Sequence, residues 1–192
     1  MLYTRKGDNG TTKTFGCDQR ISKSSAIAEA LGSLDEINSF LGLVKIKSIG
    51  VIFHLEIGEI ILADIINRIQ QDLFIVQAEL AGADKKIDEQ KVEWLEGIID
   101  GIEKKLPPIK TFFVSGGTEL ATLCDISRTI ARRAERRVVG VSEEIELNKD
   151  ETKKSINKNT LAYLNRLSSI LYAFARMVNL NDGITEETPK YD

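Results

Sequence analysis

The chain has 192 residues, with 26 Lys or Arg against 29 Asp or Glu and a formal net charge of -3. This length and composition predict one folded domain over residues 1–192, large enough to need neither disulfides nor a structural metal. Near-neutral charge argues against bulk binding of nucleic acid. The two cysteines, Cys17 and Cys124, lie in no metal-ligand spacing, and both are predicted to act as small apolar residues.

Membrane insertion is excluded by the longest apolar stretch, residues 57–80. Charged and amide side chains interrupt it, and a bilayer penalises each of them. The N-terminal sequence MLYTRKGDNGTT has neither the apolar core of a signal peptide nor the composition of a transit peptide. We therefore expect the sequence as written to be cytoplasmic, with no membrane partner.

Apolar residues recur at three- and four-residue steps in five segments, which predicts five amphipathic helices. They run from Ser25 to Val44, from Leu62 to Leu80, from Val92 to Leu106, from Leu120 to Val138 behind a candidate N-cap at Thr118, and from Asn159 to Val178. No alternating pattern of convincing length predicts a strand. Helices of this size are about 30 Å long, so the predicted fold class is all-α, an up-and-down five-helix bundle over residues 25–180.

Three segments fall outside the helical pattern. Residues 1–24 form an N-terminal arm that contains five cations and two carboxylates. Residues 142–158 are dense in charge and poor in large apolar side chains, which predicts a surface loop. Residues 181–192 are predicted to be a C-terminal tail.

The single histidine does not fit a metal site, and the aromatic residues fit a packing role. A di-iron bundle needs two Glu-x-x-His pairs, whereas His54 is the only histidine and has Val51 three residues before it. We therefore expect His54 to lie in a loop or at a helix end. Five aromatic side chains at helical spacing are predicted to pack in or near the core: Phe40, Phe74, Trp94, Tyr172 and Phe174.

Two segments carry possible chemistry. The arm residues Thr4 to Lys13 mix glycines, hydroxyls and cations, as a phosphate site requires, although the Walker spacing is absent and an ordinary flexible N-terminus is the alternative. In the fourth helix, Arg128, Arg132 and Arg136 lie at steps that align on one stripe. Such a stripe is a solvated face, a nucleic-acid contact or a triphosphate site, and the planar guanidinium suits the last two.

Four segments taken together resemble one family, the ATP-dependent corrinoid adenosyltransferases of the helical-bundle type. They are YTRKGDNGTT with Lys23, ALGSLDEINSFLG, FFVSGGTELA leading into SRTIARRAERRVV, and YLNRLSSILYAFAR. The resemblance extends from Leu2 to Arg176. It implies a five-helix bundle assembled as a homotrimer, with active sites between neighbouring subunits.

The resemblance also implies the reaction. The 5′-deoxyadenosyl group of ATP would pass to the cobalt of cob(I)alamin, with tripolyphosphate as the leaving group and adenosylcobalamin as the product. Cobalt supplies the nucleophile, which agrees with a sequence that shows no Ser-His, Cys-His or carboxylate dyad. ATP and cobalamin would be the small-molecule partners, and a reductase and an adenosylcobalamin-dependent enzyme are possible protein partners.

Individual roles follow from the same resemblance. The family's ATP-binding residues match Thr4, Arg5, Lys6, Gly7, Thr12, Lys13 and Lys23 in the arm, Arg132, Arg133, Glu135 and Arg136 in the fourth helix, and Asn165 in the fifth. Its catalytic residues match Asp35, Phe112, Arg128 and Arg132. Arg128 and Asp35 would pair between adjacent subunits beside the corrinoid, and Phe112 would displace its lower axial ligand. Mg²⁺ would be carried by the ATP phosphates, so no residue is expected to bind a metal.

The chain departs from the family pattern at two positions. Ser115 and Asp125 stand where relatives often have proline and histidine. Asp125 lies three residues before Arg128, so we expect it to compete with Asp35 for that guanidinium. Two other functions remain open, an arginine-rich nucleic-acid binder and a non-catalytic bundle that delivers or senses ATP or adenosylcobalamin. Acidic residues around the arginine stripe and the negative net charge disfavour the nucleic-acid binder.

Overall fold

The structure is a computed structural model that describes residues 3–14, 20–148 and 155–191. Its five helices are α1 (Ala26–Lys47), α2 (Leu62–Leu80), α3 (Glu89–Glu103), α4 (Glu119–Asn148) and α5 (Lys158–Asn181). Two small antiparallel pairs accompany them, β1 (Thr11–Thr12) with β2 (Ile21–Ser22) and β3 (Ile52–Leu55) with β4 (Gly58–Ile61). The predicted all-α helical bundle is confirmed.

The most extensive helix–helix contacts join α4 with α5, α1 with α4, α1 with α2, and α3 with α5. Apolar residues at helical spacing face inward and are almost completely buried, among them Leu34, Ile37, Leu41, Ile66, Ile69, Leu73, Ala131, Ala134, Leu164, Leu167 and Leu171. Burial of each leucine or isoleucine side chain stabilises the fold by about 1.5–3 kcal/mol, and burial of an alanine methyl by less. The periodicity in the sequence therefore reports the core directly.

Side-chain caps define several helix starts. The Asp88 carboxylate accepts a hydrogen bond from the Lys91 backbone N–H at 2.9 Å, which begins α3. Thr118 Oγ1 accepts from the Ala121 N–H at 3.1 Å, so the predicted cap of α4 is confirmed. Each bond pairs one of the backbone donors that a helix start leaves unpaired.

The sequence prediction missed the hairpin formed by β3 and β4. Its inward residues alternate with its outward ones, with Phe53 and Leu55 buried and His54 exposed. The Phe53 ring packs 6.2 Å from the Phe174 ring, centroid to centroid. A four-residue strand contains only two inward positions, which is too short a pattern to recognise in the sequence.

Two further predictions, one on His54 in this hairpin and one on Phe74 in α2, were wrong. His54 lies in a strand rather than in a loop or at a helix end, and its Nδ1 is 3.3 Å from the Glu59 carboxylate on the partner strand. Phe74, predicted to pack in or near the core, is 58% exposed on α2.

The predicted surface loop at residues 142–158 begins too early. Residues 142–148 continue α4, because Val138, Val141 and Ile145 keep the three- and four-residue spacing and turn towards the core. The charged residues of this segment lie on the outer side of the same helical turns, and their density concealed the apolar positions. Residues 149–154 lie outside the described part of the chain, and α5 begins at Lys158.

In residues 3–14, 20–148 and 155–191, none of the helices combines the length and the apolar character needed to cross a membrane.

A buried carboxylate ties α2, α3 and α5 together. Asp72 is 2% exposed and accepts hydrogen bonds from Lys91 Nζ at 2.6 Å and from the Tyr163 hydroxyl at 3.1 Å. Burial and the neighbouring Asp72 charge raise the pKa of Tyr163 well above its usual value, so the phenol stays a donor. Asp72 therefore depends on Lys91 for the compensation of its charge.

Removing the Lys91 amine should destabilise the fold. Loss of one partner leaves a buried charge uncompensated, and we expect Lys91→Ala to lower the free energy of unfolding by about 3 kcal/mol in a urea titration. Lys104→Ala is the matched control, because its pair with Glu56 is exposed on both sides and should be worth less than about 1 kcal/mol. Equal losses for the two variants would contradict this role of Asp72.

Candidate active site

A cavity of about 800 Å³ lies between the segment that precedes α4, the faces of α4 and α5, and the C-terminal segment 184–187. Phe112, Arg128 and Arg132 all line it. The structure therefore brings together three of the four residues predicted to be catalytic. Neither the fourth, Asp35, nor any described residue of the arm is part of this lining.

The backbone before α4 is shaped by Asn179. The Asn179 amide donates to the Gly116 carbonyl at 2.9 Å and accepts from the Thr118 N–H at 3.1 Å. Gly117 has φ +102°, and a Cβ placed on it would lie 2.3 Å from Asn179 Oδ1. Only glycine fits this position, because the positive φ and the nearby Asn179 side chain leave no room for a Cβ. The two hydrogen bonds of Asn179 hold residues 116–118 close to α5 and so fix one end of the segment that carries Phe112.

The two phenylalanines of that segment have different surroundings. Phe112 is 79% exposed and is part of the cavity lining. Phe113 is half-buried, and the Arg176 guanidinium lies 5.0 Å from its ring centroid. Phe113 thus anchors the segment and Phe112 is available to a ligand.

Arg128 is held by its own helix. Its Nε lies 3.1 Å from Asp125 Oδ1, and its guanidinium lies 5.7 Å from the Tyr172 ring centroid. Within one subunit Arg128 therefore pairs with the residue that we expected to compete for it. Asp35 is exposed on α1, and its pairing with Arg128 of a neighbouring subunit stays a prediction.

Cys124, which precedes Asp125 on α4, is a buried and unreactive thiol. Cys124 is a free thiol with no exposed surface, and burial, reinforced by the Asp125 charge, raises its pKa to about 12. The thiolate is therefore scarce at neutral pH, as the prediction of an ordinary apolar role requires. Cys17 lies outside the described residues.

The remaining α4 residues divide into three groups. Arg133 forms an ion pair with Glu36 of α1. Glu135 accepts a hydrogen bond from the Asn165 amide at 2.9 Å, which joins two of the predicted nucleotide-binding residues. Arg132 and Arg136 are exposed, and across residues 3–14, 20–148 and 155–191 neither makes an ion pair. Both guanidiniums are therefore available to an anion.

Arg166, which sequence analysis did not single out, contacts one of the predicted nucleotide-binding residues. Its Nη1 donates to Asn165 Oδ1 at 2.8 Å and its Nε donates to Glu96 of α3 at 2.8 Å. The Asn165 amide is thereby oriented, with its nitrogen towards Glu135. Arg166 lies beside Asn165 in the NRLS motif, and adjacency to a predicted contact was the available signal.

The arm folds on itself into the β1–β2 hairpin. Arg20 donates to the Thr11 hydroxyl at 2.7 Å, to the Thr11 carbonyl at 2.8 Å and to the Lys6 carbonyl at 2.5 Å. Lys23 Nζ lies 3.2 Å from the position that a Cβ on Gly7 would occupy. The predicted residues Lys6, Gly7 and Lys23 are thus brought together, and Arg20, which was not among them, holds the turn closed.

The other predicted arm residues are also placed. Arg5 has φ +58° and its guanidinium lies 5.5 Å from the Tyr3 ring centroid. Thr4 and Lys13 are exposed, and Thr12 is half-buried in β1. The arm thus presents a compact group of cations and hydroxyls, which is suited to phosphate.

Comparison with known proteins identifies a family. The model of the family described as cobalamin adenosyltransferase matches residues 2–178. A corrinoid adenosyltransferase of Bacillus subtilis is 39% identical over 188 residues, which cover 95% of this chain and 89% of that protein. A corrinoid adenosyltransferase PduO of Citrobacter freundii is 36% identical over 182 residues, covering 91% of this chain and 49% of that protein.

Solved structures agree over the whole fold. A variant PduO-type ATP:corrinoid adenosyltransferase from Lactobacillus reuteri, complexed with cobalamin and ATP, superposes with a TM-score of 0.81 at 31% identity. The match covers 100% of this chain and 97% of that one. Another variant from the same organism, complexed with ATP, gives a TM-score of 0.79 at 32% identity and covers 98% of this chain and 100% of that one. Fold, motifs and family model together show that this chain belongs to the cobalamin adenosyltransferase family.

Proposed function

We propose that the chain transfers the 5′-deoxyadenosyl group of ATP to the cobalt of cob(I)alamin and that its cavity receives the corrinoid. A Co–C5′ bond forms as the C5′–O bond of ATP breaks, and the electron pair leaves on the oxygen of tripolyphosphate. The observation that carries the proposal is the meeting of Phe112, Arg128 and Arg132 at one cavity of about 800 Å³. Similar solved structures hold cobalamin and ATP, which supports this occupancy.

The protein's contribution in such a reaction is positioning and charge stabilisation. Cobalt(I) is itself the nucleophile, so no side chain has to be activated. Negative charge grows on the departing triphosphate, and preorganised cations aimed at it lower the barrier. Arg132 and Arg136 are suited to this role because neither is neutralised by a carboxylate in the described parts of the chain.

ATP is assigned to the arm and to the outer face of α4. Lys6, Gly7 and Lys23 would meet the phosphates, together with Thr4, Arg5, Thr12, Lys13 and Arg133 from the sequence prediction. The Glu135–Asn165 pair would contact the nucleoside, with Arg166 holding the amide in place.

Mg²⁺ would bind to the triphosphate rather than to the protein. Among the residues that the structure describes, no three His, Cys, Asp or Glu side chains gather as a metal site. A hard cation that keeps several waters is well served by phosphate oxygens.

Assembly as a homotrimer would complete the site. Asp35 and the described arm residues lie outside the cavity lining of their own subunit, which supports active sites shared between subunits. Arg128 would then contact Asp35 of the neighbouring subunit in competition with Asp125. A cytoplasmic location, a reductase that supplies cob(I)alamin and an adenosylcobalamin-dependent enzyme that receives the product stay predictions.

A spectral assay tests the proposed reaction. Purified protein is mixed with ATP and chemically reduced cobalamin, with and without Mg²⁺, and both adenosylcobalamin and tripolyphosphate are measured. We expect equal amounts of the two products and a rate that falls without Mg²⁺. A non-catalytic protein that delivers or senses ATP or adenosylcobalamin would bind its ligands and form neither product.

Arg132→Ala should slow turnover by about 10²–10³-fold, since one preorganised charge stabiliser is lost. Arg132→Lys should recover little of this loss, because an ammonium lacks the planar fork that pairs with phosphate oxygens. Steady-state kinetics with varied ATP measures both effects. Arg137→Ala is the control, an exposed arginine five residues along α4, and should turn over at the wild-type rate. An Arg132→Ala enzyme with normal rate and normal ATP affinity would refute this role.

Mixing two impaired variants tests whether each active site is formed by two subunits. Lys13→Ala removes an arm cation and Arg132→Ala removes an α4 cation, so a hybrid trimer can contain sites in which both groups are intact. We expect the mixture, after exchange of subunits, to regain part of the activity that neither variant has alone. Full activity in a species shown by light scattering to be a monomer would be incompatible with sites between subunits.

Phe112→Ala should separate the two halves of the site. Because Phe112 is 79% exposed, its loss should leave thermal stability and ATP binding nearly unchanged. It should abolish the four-coordinate cob(II)alamin signal and slow turnover from cob(II)alamin far more than turnover from cob(I)alamin.

Phe113→Ala is the matched variant on the neighbouring residue. Phe113 is half-buried, so truncation should cost about 2 kcal/mol of unfolding free energy, below the 3–5 kcal/mol typical of a fully buried phenylalanine. If Phe112→Ala were the unstable variant and kept the four-coordinate signal, the two roles would have to be exchanged.

A further inference from the structure

The C-terminal segment 184–187 forms one wall of the cavity and has no role in the reaction proposed above. It follows α5, and the Ile184 N–H donates to the Asn179 carbonyl at 2.9 Å. The Val114 N–H donates to the Glu187 carbonyl at 2.8 Å. The segment is thus bonded both to α5 and to the segment that carries Phe112.

Arg176 lies where these parts meet. It is 4% exposed, and its Nε and Nη2 donate to the two carboxylate oxygens of Glu186 at 2.7 Å each. Nη2 also donates to the Pro107 carbonyl at 3.1 Å, where the chain leaves the third helix. A bidentate, charge-assisted pair is among the stronger polar contacts that a protein forms.

Two aromatic rings enclose the same guanidinium. Its carbon lies 5.0 Å from the Phe113 ring centroid and 6.0 Å from the Tyr172 ring centroid. The hydrogen bonds and the charge of Glu186 raise the pKa of Arg176 against the cost of burial. Arg176 therefore remains a cation, and Glu186 is the carboxylate that compensates it.

These contacts leave a short free span. Pro107 is fixed by Arg176 and Val114 is fixed by Glu187, while Ile109 and Phe112 between them are 57% and 79% exposed. Phe112 is therefore placed by the ends of its segment rather than by contacts of its own. The Pro107 end is held by Arg176, which pairs with Glu186, and the Val114 end is held by the Glu187 carbonyl in addition to the Asn179 contacts that follow it.

We propose that Arg176 and Glu186 form a latch that fastens the C-terminal segment to the Phe112 segment and so positions Phe112 against the corrinoid. Glu186 is then a positioning residue, and this role rests on the corrinoid assignment of the cavity. The latch acts on the corrinoid half of the site, since it contacts no residue assigned to ATP. Glu186 lies in the tail and outside the helical core, but its removal would leave the buried Arg176 cation without its carboxylate partner, so some loss of stability is expected as well.

Glu186→Ala and Glu186→Gln test the latch. Alanine removes both hydrogen bonds, whereas glutamine keeps the shape and loses the charge. Asp182→Asn is the matched control, because it removes an exposed carboxylate of the same C-terminal stretch that does not line the cavity. Each variant is measured for melting temperature, ATP affinity, the four-coordinate cob(II)alamin signal, and turnover from cob(II)alamin and from cob(I)alamin.

The latch predicts a graded and selective loss. For Glu186→Ala we expect a ten- to hundredfold higher corrinoid KM or a matching loss of the four-coordinate signal, the size that follows from one charge-assisted contact and a misplaced ring. Glu186→Gln should lie between Glu186→Ala and the wild type. Turnover from cob(I)alamin at saturating corrinoid and ATP affinity should change little, whereas the melting temperature should fall because the buried Arg176 cation loses its carboxylate partner. Asp182→Asn should match the wild type throughout.

Other outcomes would show whether the latch or the proposed function is wrong. Glu186 variants that match the wild type in corrinoid KM and in the four-coordinate signal would overturn the latch. Equal losses in the corrinoid and ATP measurements, or equal effects of Glu186→Gln and Asp182→Asn, would also overturn it. If the wild-type protein itself showed neither turnover nor a four-coordinate signal, the proposed function would fail instead.

Discussion

The packing of α4 between α1 and α5 is the constraint on which the other features depend. The face of α4 that enters the bundle carries small residues with no exposed surface, among them Ala121, Cys124, Ala131 and Ala134. Small side chains let neighbouring helices approach closely, and close-packed interiors tolerate little change in volume. The arginines at the intervening positions are consequently placed at the edges of the helix, where they reach the cavity on one side and α1 on the other.

The arginines of the protein are divided between structure and ligand. Arg128 and Arg176 are already paired with carboxylates, whereas Arg132 and Arg136 have no ion pair among the described residues. In an ion pair the guanidinium is held in place and its charge is neutralised by the carboxylate. A guanidinium without such a partner can attract an anion. This division explains how one helix can both hold the cavity walls and offer charge to a triphosphate.

Much of the fold could be predicted from the sequence because helix burial leaves a periodic pattern. The β3–β4 hairpin was missed, since Phe53 and Leu55 are only two inward residues. The end of α4 was missed because charged residues outnumber Val141 and Ile145 there. Longer helices average over such local exceptions, whereas short elements do not.

The site was predicted less completely, and for a different reason. Phe112, Arg128 and Arg132 came from the resemblance of motifs, and the structure brings them to one cavity. Arg176 ends the segment YLNRLSSILYAFAR, from which no role for it followed, and Glu186 lies in no motif, because their pairing arises only when the tail turns back on α5. Asp125 was anticipated as a partner of Arg128 because the two lie on one helix three residues apart, which is a local relation that a sequence can show.

A crystal structure of this chain bound to cob(II)alamin and ATP tests the central claim most directly. The account predicts the corrinoid in the cavity between Phe112 and the Arg128–Arg132 face, with the Phe112 ring against the lower face of the corrin and no axial ligand there. It also predicts triphosphate density beside Arg132 and the arm of a neighbouring subunit. A corrinoid bound elsewhere, or one that keeps its lower ligand while Phe112 points away, would contradict the account.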